Sequence, residues 1–365
     1  MPESILTLAE RVAELGHAER ERVYRLFEIS TLTGQLTVPE PLMSKLVDWF
    51  AEADDTDPRQ AVARASTQRV ARTFNRFSGE GALFNELRAR RPLCARLHED
   101  LDARIERARA GCDFCDPQRM TTADTWGRIT GRHSVSAANA SMYDAHHGMV
   151  VFREHHPHRF GREQVQDYLD VAMQWLRHTH EVDRSLRYPF IMWNCLEKAG
   201  ASQPHGHLQM LITRDRPYAR QARHMTVADA YRQQTHSSYW DDWVAVHESL
   251  GLTRGRGAAT CVATLTPVKE KEMVIVGGLT VEEDFINAVA DTLRALIDRL
   301  GVLSFNAGFF LPPLDGTPEY DMPAIACIVD RGDPARLTGD IGAMELYGST
   351  VVASDPCRVI EALDA

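Results

Sequence analysis

A chain of 365 residues exceeds what one hydrophobic core usually covers, so two domains or an internal duplication are expected. Apolar residues make up 44% and charged residues 25%, an ordinary globular mix that excludes global disorder. The formal net charge of −10 argues against a general affinity for nucleic acid or an anionic membrane, leaving room only for a local basic pocket.

The opening MPESILTLAERVAEL lacks a basic start followed by an apolar run, so no signal peptide is expected. No window approaches the ~20 apolar residues that span a bilayer. Seven cysteines are an odd number, thinly spread, with one Cys-x-x-Cys pair. That usage suggests a reducing cytoplasm. The expectation is a cytoplasmic globular protein of several parts.

Residues 4–72 read mostly as helix, with Leu6, Leu8, Val12 and Leu15, and later Leu42, Leu46, Val47 and Phe50, at helical spacing. The acidic stretch Glu52 to Pro58 interrupts them as a loop. From Phe74 a polar turn leads to an arginine cluster between Arg88 and Pro92, and a charged helix over Leu93 to Arg109 leads to GCDFCDP. His133 to Ala140 and Gly148 to Phe152 have the short β-branched look of strands. Gln164 to Thr179 follows as an amphipathic helix, with Val165, Tyr168, Leu169, Met173 and Leu176 on one stripe. Phe190 to Trp193 and the segment HGHLQMLI are two more strands. A polar helical stretch from Thr213 to Gly255 carries the aromatic knot Tyr239, Trp240 and Trp243. The order then recurs: strands at Cys261 to Pro267 and Glu272 to Val276, a helix from Val281 to Leu300, strands at Phe305 to Phe310 and Ile325 to Val329. Strand, strand, helix, strand, strand twice implies a duplicated α+β unit. The second copy has no His-x-His, so chemistry based on that pair belongs to the first.

His205, His207 and Gln209 alternate, and the period of two puts them on one face of a strand. Two imidazoles and an amide so aligned can bind a metal, bind an anion, or let one imidazole act as nucleophile while its neighbours hold the substrate. Cys112 and Cys115 have the spacing of half a tetrahedral zinc site. A redox role needs a thioredoxin-like context that GCDFCDP does not provide, so zinc is preferred. The run Arg153 to His158 (REHHPH) and His205 are the available sources of the other ligands. The arginines from Arg88 to Arg91 can clamp phosphate bidentately or form a solvated helix face.

Four segments in the same order resemble the galactose-1-phosphate uridylyltransferase branch of the histidine-triad superfamily, which also contains nucleoside-diphosphate-sugar phosphorylases and diadenosine tetraphosphate phosphorylases. They are Asn75 to Ser78 with Arg88 to Pro92; Cys112 and Cys115; His147 and Gly148 with the apolar run Met149 to Phe152 and a following histidine, read as His156; and GASQPHGHLQ, from Gly200 to Gln209. They span roughly residues 75–210. The resemblance implies an α+β fold of two antiparallel-sheet half-domains with helices: a helical N-terminal extension over 1–72, a first unit over 73–250 and a degenerate second unit over 251–365.

It also implies roles. His207 would be the nucleophile that carries a covalent nucleotidyl group. Gln209 would hold a non-bridging phosphate oxygen, and replaces a histidine of the hydrolytic branch. Ser202 and Asn194 match positions that bind phosphate, Arg88 and Arg91 match a pair that grips the second or acceptor phosphate, and Asn139 matches a ribose contact. Cys112, Cys115, His156 and His205 match the ligands of a structural Zn2+. There are departures. With Glu345 aligned on the family's glutamate, Val351 stands near a glutamine that reads sugar hydroxyls, and residues 339–363 are nearer the phosphorylase members. Leu196, Glu197 and Lys198 replace a small, glycine-containing stretch.

The implied activity is transfer of a nucleoside monophosphate from a nucleotide sugar or dinucleotide to a phosphate-bearing acceptor. A phosphorylase or hydrolase on the same framework, or a non-catalytic zinc-stabilised nucleotide-binding protein, are the alternatives. The expected partners are a nucleotide or nucleotide-sugar and a phosphorylated small molecule, in a homodimer, with no nucleic acid and no membrane.

Overall fold

The computed structural model describes residues 4–90, 100–317, 322–336, 341–346 and 348–364. In chain order the strands are β1 (Phe27–Gln35), β2 (Thr67–Asn75), β3 (Gly81–Phe84), β4 (Ser134–Ala138), β5 (His147–Phe152), β6 (Tyr188–Cys195), β7 (His207–Thr213), β8 (Thr253–Arg256), β9 (Ala259–Ala263), β10 (Met273–Val276), β11 (Ser304–Phe310), β12 (Ile325–Gly332) and β13 (Ser349–Val352). Nine of them form one sheet in the order β4-β5-β7-β6-β11-β12-β10-β9-β8, and every pairing in it is antiparallel.

The duplication is visible in that order. β4-β5-β7-β6 has the same sequence of neighbours as β9-β10-β12-β11, and the copies meet edge to edge where β6 pairs with β11. Each copy places one long helix between its second and third strands, Arg162–Val182 in the first and Glu283–Asp298 in the second. The first helix starts where the Gln164 side chain accepts from the Gly161 N–H at 2.8 Å, the half of a capping box that a glycine N-cap permits. Its stripe of Val165, Leu169, Ala172 and Leu176 is buried, each large apolar side chain contributing about 1.5–3 kcal/mol. The second helix buries Phe285, Val289, Leu293 and Leu296 in the same manner. The two helices are joined by a paired Arg162 and Asp291, with Nε to Oδ1 at 2.7 Å. They cover one face of the sheet; His207 and Gln209 alternate along β7 on one side of the first copy, both buried.

The N-terminal region departs from the mostly helical reading of residues 4–72. Helices Leu8–Glu14, His17–Leu26, Glu40–Phe50 and Pro58–Ser66 are present, but Phe27–Gln35 and Thr67–Asn75 are paired strands over their whole length. Helical spacing of Val23, Leu26 and Phe27 continued into β-branched and threonine-rich chain (FEISTLTGQ), whose local preference is extended. Together with β3 and β13 these strands form a second sheet, β1-β2-β3-β13, in which β13 runs parallel to β3. The C-terminal tail therefore belongs to the same layer as the N-terminus. Asp355, buried, accepts from Ser4 Oγ at 2.8 Å and from the Ile5 N–H at 3.0 Å. Among the described residues no helix is long and apolar enough to cross a membrane.

Candidate active site

The first cluster forms where β5 ends. Past Phe152 the chain turns and brings His155 against His205, which stands two residues ahead of His207 at the start of β7. Cys112 and Cys115 flank the short turn Asp113–Cys115 on the other side. The donor atoms of Cys112, Cys115, His155 and His205 lie within 4.8 Å of one another. Cys112 Sγ is 3.4 Å from His205 Nδ1, Cys115 Sγ is 3.3 Å from His155 Nδ1 and 3.6 Å from His205 Nδ1, and the two Nδ1 atoms are 3.1 Å apart. Zinc bonds of about 2.3 Å to sulfur and 2.0–2.1 Å to nitrogen give tetrahedron edges of roughly 3.3–3.8 Å. The cluster has that size.

The protonation pattern gives a second fit. His155 Nε2 lies 2.9 Å from the Ile105 carbonyl and His205 Nε2 2.7 Å from the Phe152 carbonyl. A carbonyl only accepts, so both Nε2 atoms carry the proton and both Nδ1 atoms present lone pairs to each other. Two facing lone pairs need a cation between them. The Nε2–H bonds are the outer contacts that hold metal-binding imidazoles in one tautomer. Burial holds His205 down at about 4, neutral at physiological pH, and pushes the Cys115 thiol, beside Cys112, up to about 11. A metal would have to displace that proton, which couples binding to pH.

His155 stands here in place of His156. His156 Nε2 points instead to Asp102 Oδ1 at 3.3 Å, and its Nδ1 accepts from the His158 N–H. The correction follows from the bend after Phe152, which lies beyond the strand and turns His155 toward His205.

The face of β7 that carries His207 and Gln209, both buried, holds the second cluster. His207 Nδ1 donates to the His205 carbonyl at 2.9 Å, which leaves Nε2 as an unprotonated lone pair. Burial lowers its pKa below the ordinary imidazole value. Phe114, from between the cysteines, meets the rings of His205 and His207 edge-on, with centroids at 5.8 and 5.2 Å, and packs over Val135, Ala137, Met149 and Val151. That is an apolar floor beside the nucleophile candidate.

Gln209 is held by its oxygen. The Tyr143 N–H donates to His147 Nδ1 at 3.0 Å, so the His147 proton is on Nε2, which donates to Gln209 Oε1 at 2.9 Å. Asn139, its own oxygen engaged by the Ser141 N–H, donates from Nδ2 to the same Gln209 oxygen at 3.3 Å. The Gln209 amide is thereby turned with its NH2 outward. Asn139 is next to Gln209, at the mouth of the same face.

Asn194 belongs to this face as well. Met192 pairs with Gln209 across β6 and β7, and that register carried two residues on sets Asn194 opposite His207. Ser202 is exposed on the turn that precedes His205. Within that turn Leu196 has φ +68° and ψ 170° with its side chain buried, a region essentially reserved for glycine. The departure of Leu196–Lys198 from the glycine-containing stretch is thus accommodated by backbone strain.

Arg88 lies elsewhere. It is exposed on the turn Glu86–Arg90 and lines a cavity of about 570 Å3 with Lys198, Lys269, Arg331, Arg336 and Glu345. Val351 lines the same cavity. His207, Gln209, Asn194 and Ser202 do not line it. Arg91 lies outside the described residues.

No family model matches the sequence, and no curated protein does. Solved structures do match. An ADP-glucose phosphorylase from Arabidopsis thaliana with bound ADP-glucose superposes with a TM-score of 0.58 at 14% identity, over 79% of this chain and 96% of that one. A galt-like protein from Arabidopsis thaliana gives 0.54 at 15% identity, over 69% and 91%. A uridylyltransferase gives 0.54 at 14% identity, over 67% and 87%. The fold is therefore the one shared by these ADP-glucose phosphorylase, galt-like and uridylyltransferase structures.

In this uridylyltransferase-like fold, sequence reasoning overlooked four residues that structure brings forward. His155 was reachable, since two residues separate the apolar run Met149–Phe152 from it and three separate the run from His156. His147 stood in a quoted motif with no role attached, and its tautomer becomes visible only with the Tyr143 N–H in place. Asn306 and Arg331 are on strands of the second copy, where no motif pointed.

Proposed function

We propose that this chain is a nucleotidyl-transfer enzyme that works by double displacement through His207. The observation that carries the reading is the His207 Nδ1–H bond to the His205 carbonyl, which leaves Nε2 as a lone pair on the face of β7 that Gln209 shares. Nε2 attacks the α-phosphorus of a nucleoside diphosphate compound, either a nucleotide sugar or a dinucleoside polyphosphate. An N–P bond forms, the bond from the α-phosphorus to the bridging oxygen breaks, and a phosphorylated leaving group departs. The carbonyl of His205 stabilises the positive ring of the intermediate through Nδ1–H. A phosphate oxygen of the acceptor then attacks the same phosphorus, and the N–P bond breaks.

Neither half-reaction needs a proton to move, because phosphate leaves and attacks as an anion. Water as acceptor would need a base. Gln209 can donate a hydrogen bond but cannot take a proton, which favours a phosphate-bearing acceptor over hydrolysis. The NH2 groups of Gln209 and Asn194 and the Ser202 hydroxyl would hold the non-bridging oxygens as charge develops. Cys112, Cys115, His155 and His205 would hold a zinc ion, whose closed set of four ligands supplies a structural pin. Through Gly206 that pin sets the position of His207. The bound ADP-glucose of the Arabidopsis phosphorylase supports a nucleotide sugar as donor. We further propose a homodimer in which Arg88 and its cavity serve the partner's His207.

The test is intact-mass measurement of the purified protein with a panel of UDP-, ADP-, GDP- and CDP-sugars and dinucleoside polyphosphates, without acceptor. The expected result is an adduct of one nucleoside monophosphate, absent in His207→Gly. Adding inorganic phosphate or a hexose 1-phosphate to the trapped species then tells a phosphorylase from a transferase. No adduct and no released monophosphate with any donor would overturn the reading in favour of a binding protein.

A further inference from the structure

Asn194 reaches the nucleotide only if its amide faces the right way, and two residues of the second copy decide that. Asn306 on β11 pairs directly with Asn194 on β6, at the seam where the copies meet. Arg331 on β12 lies two residues beyond Val329, the cross-strand neighbour of Asn306, where the pairing slips between Phe305 and Ser304. Arg331 Nη1 donates to Asn306 Oδ1. A guanidinium has no acceptor, so this bond fixes which end of the Asn306 amide is oxygen. The other end agrees: Asn306 Nδ2 donates to the Ala199 carbonyl at 2.8 Å and to Asn194 Oδ1 at 2.7 Å. Both of its hydrogens are then in use. Asn194 has its oxygen engaged, and its NH2 must point away from the seam, on the face where register sets it opposite His207.

We infer that Asn306 and Arg331 are positioning residues that lock the Asn194 amide with its NH2 toward the α-phosphate. The inference rests on the nucleotidyl-transfer reading. It also assigns the degenerate second copy a part in the first copy's chemistry. It supplies no nucleophile, and it sets the direction of a donor. Reversed, Asn194 would present a carbonyl oxygen to a phosphate oxygen, which repels where the NH2 attracts.

Asn306→Asp is the informative change, because the carboxylate keeps the shape and the Arg331 contact but cannot donate. Asn194 would turn its NH2 to the new acceptor and its oxygen to the substrate. The measurement is the single-turnover rate of nucleotidyl-adduct formation on His207. Asn306→Asp is expected to slow it about 100-fold, the scale of losing one aligned donor to a developing oxyanion. Arg331→Met is expected to slow it about 10-fold, and Arg331→Lys, which retains a donor, to recover most of that loss. The decisive comparison is with Asn194→Ala. If the relay acts through Asn194, adding Asn306→Asp to Asn194→Ala changes the rate by less than about twofold.

An Asn306→Asp effect that persists in full in the Asn194→Ala background would overturn the relay, and would assign Asn306 to holding the Ala199 turn instead. A wild-type rate in Asn306→Asp would overturn it as well. Both outcomes differ from failure of the underlying reading, in which the wild-type protein itself forms no adduct.

Discussion

A β-carbon on Gly206 would lie 2.4 Å from Cδ2 of Phe152. That ring has nowhere to go. It stacks on Tyr168 with centroids 3.6 Å apart and 4° between planes, and meets Trp193 edge-on at 5.2 Å. Gly206 joins His205, a member of the Cys/His cluster, to His207, so the close approach to Phe152 fixes the spacing between that cluster and His207. Gly206→Ala should therefore cost about 2 kcal/mol of stability by overpacking, and should slow adduct formation on His207 by more than the loss of folded protein explains. Denaturant titration and intact-mass kinetics on the same preparation check both. A variant as stable and as fast as wild type would show that this segment is slack. At this scale the sequence was largely legible. Residues on a regular strand, His207 and Gln209, could be placed by counting in twos. Residues past a strand end could not, which is why His155 was passed over for His156: the turn after Phe152, not a period, decides which histidine looks inward. Amide and imidazole orientation, at His147, Asn194 and Asn306, depends on partners brought from other strands and left no trace in spacing.

Between elements, the contact that most depends on charge ties the two sheets together. Arg220, on the helix Ala219–Thr235, lies 3.4 Å from Glu80 at the start of β3 and 3.4 Å from Glu272 at the start of β10. The two carboxyls respond differently. Burial raises Glu272, and the Arg220 charge does not overcome it. Burial also acts to raise Glu80, but the His224 contact, the Arg220 charge and the Ser78 hydroxyl outweigh it and bring Glu80 down to about 2. Glu80 is thus the ionised partner of Arg220. Its folded pKa is below its unfolded value of about 4.3, so it adds stability above that value, and the gain is lost as pH falls from about 5 toward 2. The size is on the order of 2–3 kcal/mol at neutral pH. Glu80→Gln should be less stable than wild type by that order at pH 7, with more than half of the difference gone by pH 3. Urea midpoints at the two pH values measure it; an equal difference at both would show that the charge on Glu80 is not what stabilises the pair. Eight strands of the nine-stranded sheet were read from sequence because they are short, apolar and β-branched; β8 (Thr253–Arg256) was not, since its polar residues run on from the stretch read as helical to Gly255. β1 and β2 were not, because both follow directly on helices with no breaker between and their outer ends are exposed. Their strand state is set by pairing with each other and with β3, a tertiary cause that local periodicity does not contain.

For the whole molecule, the arrangement of charge raises a question that one chain does not answer by itself. The net charge is −10, and the cavity lined by Arg88, Lys198, Lys269, Arg331 and Arg336 also holds Glu270, Asp330, Asp333 and Glu345, with Lys269 paired to Glu345 and Arg336 to Asp333. That cavity is built by the N-terminal layer, the end of β12 and the C-terminal tail, while His207 is on β7 of the first copy. Lys198, in the turn ahead of Ser202, is where the two come nearest in sequence. Around the histidine face, Met120, Met142 and Tyr143 are apolar side chains more than half exposed, which is surface suited to cover by a partner. In a two-fold dimer, one protomer's Arg88 would meet its partner's His207, and each site would need both chains. Chain mixing tests this directly. His207→Asn should be inactive, and Arg88→Ala should be slowed by about tenfold or more through loss of a bidentate phosphate contact. Co-expressed, half of the dimers are mixed. Each mixed dimer holds one complete site, made of the His207 of one chain and the Arg88 of the other, and one site lacking both. Activity should then rise to about a quarter of wild type, above either variant alone. If both groups instead act within one chain, the mixed dimer contains no complete site, and the mixture would show only the average of the two variants.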